Sequence, residues 1–76
     1  MPMLKPTNDQ VSANIRAEIA RKSMTQTELA AGLGIHQSAL SERLRGRVSW
    51  RLEELTTAAE ILGVTFEQLC MDPAAT

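Results

Sequence analysis

Between His36 and Arg51 the chain gathers side chains suited to hydrogen bonding and anion binding. Gln37, Ser38, Ser41 and Glu42 come first, and Arg43, Arg45, Arg47 and Arg51 follow. A glutamine amide can pair bidentately with adenine, a serine hydroxyl can bond several bases, and a carboxylate can accept from the cytosine amino group. Guanidinium groups pair with phosphate. Other chemistry finds little support. His36 has no second histidine or nearby cysteine with which to share a metal, so capping or phosphate bonding suits it better. Cys70 is the one cysteine and reads as an apolar filler beside the last helix. Glu53 and Glu54 are adjacent in a first helical turn, where acids complement the dipole. With no nucleophile–base pair, metal cluster or phosphate loop in view, the sequence does not read as an enzyme and calls for no cofactor or small-molecule ligand.

Charge supports a polyanion as partner only through its distribution. The chain carries net charge −1, yet residues 1–51 hold all eight Lys and Arg against four acids, while residues 52–76 hold five acids and no base. Such a dipolar chain can attract a polyanion with its basic part, although uneven charge also arises by chance in small soluble proteins. Trp50 and Phe66 are the only aromatics, which argues against a stacking platform for single strands or RNA. A lone thiol fits a reducing cytosol. No apolar run is long enough to span a membrane, and MPMLKPTNDQ lacks the apolar stretch of a signal peptide. The expected place is the cytoplasm, beside the nucleoid.

The elements that position these residues are all helical. Val11, Ile15 and Ile19 form an apolar stripe, and Thr7-Asn8-Asp9-Gln10 forms a capping box, predicting a helix from about Asn8 to Lys22. A second box, Thr25-Gln26-Thr27-Glu28, with Met24 and Leu29 as a hydrophobic staple, predicts a short helix from Gln26 to Leu33 that Gly34 ends. A third helix starts near His36 or Gln37 and ends near Arg45, with Ala39, Leu40 and Leu44 inward. Leu52, Leu55, Ala59 and Leu62 mark a fourth, closed by Gly63; Trp50 precedes it and packs on the bundle. Thr65-Phe66-Glu67-Gln68 caps a fifth, with Val64 and Leu69 as its staple pair. The expected fold is all-α, a compact five-helix bundle in one domain, residues 1–76, with short flexible termini.

Only a few residues, Leu33-Gly34-Ile35-His36, join the second and third helices. Two helices meeting steeply across a short glycine-containing turn form a helix-turn-helix, here about residues 25–45. That geometry presents the start of the second helix to a major groove. Gln26, in the first turn of the preceding helix, can bond a phosphate where free backbone N–H groups favour an anion.

The stretch TQTELAAGLGIHQSALSERLRGR, with LEELTTAAEILGVTFEQLC after it, resembles the DNA-binding domain of lambda-type phage repressors, Cro proteins and XRE-like bacterial regulators. The likeness spans about Ala13 to Cys70 and rests on Gln26, Ala30, Gly34, Gln37-Ser38, Gly46 and the later Leu-Gly-Val-Thr. It implies a five-helix domain that binds double-stranded operator DNA, commonly as a homodimer on a near-palindromic site. By position, the family's base-reading residues fall on Gln37, Ser38, Ser41 and Glu42, and its phosphate contacts on Gln26, His36, Arg45 and Arg47. The family usually has an apolar residue and then a polar one where this chain has Arg43-Leu44, so the third helix is expected to be rotated slightly or packed differently. Arg43 is grouped with the phosphate contacts, with a base contact or a surface ion pair to Glu42 or Glu54 as its alternatives. His36 replaces the usual Ser or Thr cap. The function expected is sequence-specific transcriptional regulation of the phage Cro or immunity-repressor kind. Any dimer would use the exposed part of the fifth helix and the tail after it, since no separate dimerisation or ligand domain is expected. The alternative is an antitoxin or protein-interaction module on the same fold, served by the acidic C-terminal third.

Overall fold

The computed structural model describes residues 7–71. Its helices are α1 (Asn8–Arg21), α2 (Gln26–Leu33), α3 (Gln37–Leu44), α4 (Leu52–Leu62) and α5 (Phe66–Cys70), and no strand occurs among the described residues. Asp72–Thr76 of the expected tail, and residues 1–6, lie outside the described residues. Each helix sends one large, fully buried aliphatic residue to a common centre: Ile15, Leu29, Leu40, Leu62 and Leu69. Burial of a side chain of this size stabilises by about 1.5–3 kcal/mol, so all five helices share one core. None of the described helices is long and apolar enough to cross a membrane.

The helix starts follow the capping boxes. Thr7, Thr25 and Thr65 each accept from the backbone N–H three residues on, and Gln10, Glu28 and Gln68 reach back to the threonine N–H. The helix ends share one device. Past the ends of α1, α2, α3 and α4 two successive residues, Ser23-Met24, Gly34-Ile35, Gly46-Arg47 and Gly63-Val64, donate N–H bonds back into the last turn, the Schellman arrangement. It requires a left-handed residue, which is glycine after three of these helices and Ser23 (φ 54) after α1. A different constraint acts inside α2. A Cβ on Gly32 would stand 2.6 Å from Ile61 Cδ1, so a side chain there would require the end of Ile61 to turn aside.

One apolar position departs from the expected stripe. Leu52 is 66% exposed, because the buried face of α4 begins a turn later, at Leu55, Ala58, Ala59 and Leu62.

Candidate nucleic-acid interface

The turn between α2 and α3 is built from backbone bonds. Gly34, at φ 73, donates to Ala31 O at 3.2 Å, and Ile35 donates to Ala30 O at 3.1 Å. Ile35 packs half-buried against the core and fills the angle between the helices. The chain then enters α3 through an extended His36, which provides no side-chain cap, as its type predicts.

Leu40 and Leu44 turn one side of α3 into the core. Ser38, Ser41, Glu42 and Arg45 lie away from that stripe by helical spacing, whereas Gln37, three residues before Leu40, lies along it and is open because it begins the helix. Gln37 and Ser38 are exposed in the first turn, and Ser41 and Glu42 are half-exposed one turn on. Arg45 and Arg47 are exposed just past the helix, His36 is exposed at its entry, and Gln26 is exposed at the first position of α2. Arg47 is tethered rather than loose. Its N–H donates to Glu42 O at 2.9 Å, and its Nη1 lies 3.7 Å from Glu42 Oε2. In the first turn of α2 the Glu28 carboxyl is held below its ordinary value by the Thr25 backbone N–H and hydroxyl.

Arg43 is not brought together with the other phosphate candidates. Nε and Nη2 hold Glu54 Oε1 and Oε2 at 2.9 and 2.8 Å, and Nη1 donates to Ala39 O at 3.0 Å. The two side chains are only 12% and 10% exposed. Of the alternatives for Arg43 the structure holds the ion pair with Glu54, buried and not at the surface. The cause is the Arg43-Leu44 order: with Leu44 beneath Leu40, Arg43 falls on the inner half of the helix, one turn after Ala39. Glu54 also accepts from the Arg51 N–H at 2.9 Å and so caps α4. Burial acts to raise the Glu54 carboxyl, but the hydrogen bonds and positive charges of Arg43 and Arg51 outweigh it and hold it below its ordinary value.

Sequence analysis assigns no role at the site to the residues that fasten α3 from behind. Ser12 donates to Arg43 O at 3.0 Å and accepts from Trp50 Nε1 at 3.1 Å. The Arg16 guanidinium donates to Leu44 O. Asn8 accepts from the Trp50 N–H at 3.3 Å and donates to Ser49 Oγ at 3.2 Å. These three residues stand four apart on α1, a polar stripe beside the apolar one, and that spacing was the available signal. Together they satisfy carbonyls at the C-terminal end of α3 and hold the loop after it.

With this geometry in view, the chain can be compared with known proteins. A helix-turn-helix family model matches residues 15–69. The structure is similar to that of NHTF, a hypothetical transcription factor from Neisseria, with 27% identity, a TM-score of 0.82 and coverage of 96% of this chain and 88% of that one. It is also similar to the clp gene regulator ClgR from C. glutamicum, with 29% identity, a TM-score of 0.75 and coverage of 91% and 86%. The SOS-response repressor LexA from Eubacterium rectale shares the fold at 21% identity, with a TM-score of 0.81 over 97% of this chain and 80% of that one. No curated protein matches the chain.

Proposed function

The chain belongs to the helix-turn-helix family of the Cro/C1 and XRE type, and we propose that it is a sequence-specific DNA-binding transcriptional regulator. One observation carries this reading. The accessible surface of α3 and its end presents Gln37, Ser38, Ser41, Glu42 and Arg45, a set of hydrogen-bonding groups ending in a cation. In the proposed complex α3 enters the major groove. Gln37, Ser38, Ser41 and Glu42 read base edges, while Gln26, His36, Arg45 and Arg47 hold phosphates. Arg43 is excluded from the contacts because Glu54 occupies its guanidinium. Counterion release by the arginines supplies much of the affinity. The relatives described as a transcription factor and a gene regulator support the same class of activity.

The finer proposal is a Cro-like or immunity repressor, one domain over residues 1–76, acting in the cytoplasm by binding rather than catalysis. It binds operator DNA as a homodimer, as the resemblance to that family implies. Selection of bound sequences from random duplexes, with stoichiometry measured on the winner, tests these points together. The expected winner is a near-palindrome holding two chains. Absence of any enriched sequence contradicts the reading, and a one-to-one complex on the shortest full-affinity duplex contradicts the dimer.

A further inference from the structure

We propose that Arg43 and Glu54 are positioning residues that set the pose of α3 for sequence discrimination without touching DNA; the inference rests on the function proposed above. The pair is bidentate and about nine-tenths buried, and it joins α3 to the first turn of α4. Each partner has a second structural bond, Arg43 to Ala39 O and Glu54 to the Arg51 N–H. The Arg43 backbone is held as well, through its carbonyl, by Ser12. α3 is therefore fixed at one residue by an ion pair to α4 and a hydroxyl from α1.

A buried ion pair is a poor source of stability, because desolvation offsets most of the attraction. An apolar pair of similar volume would fill the same space. What it would not reproduce is direction: two parallel N–H···O bonds fix both the distance and the rotation of α3 against α4. Base readout depends on that rotation, since bidentate contacts to base edges tolerate little misplacement. Phosphate attraction is far more tolerant. Loss of the pair is therefore felt in discrimination and not in binding to DNA of any sequence.

The test compares the 76-residue chain with the double variant Arg43→Met/Glu54→Leu and with Arg43→Lys and Glu54→Gln. Three readouts are taken: thermal stability, affinity for the selected duplex relative to a scrambled one, and the dependence of affinity on salt. The double variant is expected to remain folded, to lose about tenfold or more in the specific-to-nonspecific ratio, and to keep the wild-type salt slope. Arg43→Lys, which retains charge without the bidentate fork, is expected to fall between them. A salt slope lowered by about one unit makes Arg43 a phosphate contact and overturns the proposal. A folded double variant with an undiminished ratio also overturns it and leaves the proposed function standing. A wild type that selects no sequence overturns that function and this inference together. Should the double variant fail to fold, Glu54→Gln decides: the proposal requires a lowered ratio, and an unchanged one overturns it.

Discussion

The Ser12 hydroxyl joins three parts of the chain: it donates to the Arg43 carbonyl at 3.0 Å and accepts from Trp50 Nε1 at 3.1 Å. It is 1% exposed, so no water replaces it readily. Ser12→Ala leaves an indole N–H and a carbonyl at the end of α3 without that partner. A loss of about 1–3 kcal/mol is expected, the cost of a buried group left unsatisfied, measured by urea unfolding. A change within error would show that the hydroxyl does not bridge these elements.

Gln37 opens α3 and is exposed. Gln37→Ala is expected to cost about 1–3 kcal/mol on the selected duplex and to relax one base preference. Titrations on the selected and scrambled duplexes check this. Equal losses on both would remove the base contact.

Arg47 is held near the end of α3 by its N–H bond to Glu42 O, while its side chain is 66% exposed. Arg47→Ala should weaken binding to every sequence and lower the salt slope by about one unit. An unchanged slope in a salt titration would strike Arg47 from the phosphate contacts.

Glu54 gives stability an acid limb. Its folded carboxyl lies below its ordinary value of 4.5, so the unfolded chain takes up the proton first as pH falls. The stabilisation is complete above the ordinary value and is lost as pH drops through the depressed folded value. In Glu54→Gln the dependence of unfolding free energy on pH should be shallower below about 4.5. A limb as steep as that of the wild type would show that Glu54 does not carry it.

Much of the fold was legible because its local signals agree. The boxes at Thr7, Thr25 and Thr65 start helices where expected, and Gly34, Gly46 and Gly63 take the left-handed conformation after α2, α3 and α4. The exceptions depend on what meets across the core. Ser23 takes a glycine's conformation after α1, and Gly32 matters only because Ile61 lies against it. Asn14, which donates to the Leu69 and Met71 carbonyls at 2.7 Å, pairs with residues more than fifty positions away. At the site, the outward side of α3 follows from helical spacing once Leu40 and Leu44 are known to be buried. Arg43 had an ion pair with Glu54 among its alternatives, and only packing of α3 on α4 selects it. What the outward residues touch depends on the partner's sequence, which no helical pattern encodes.

The most direct measurement of the central claim is a backbone amide NMR titration of the chain with its selected duplex. The account predicts the largest shifts at Gln26 and from His36 to Arg47, with small shifts along the exposed acids Glu53, Glu60 and Glu67 of α4 and α5. Shifts concentrated on α4 and α5, with α3 unmoved, would contradict it.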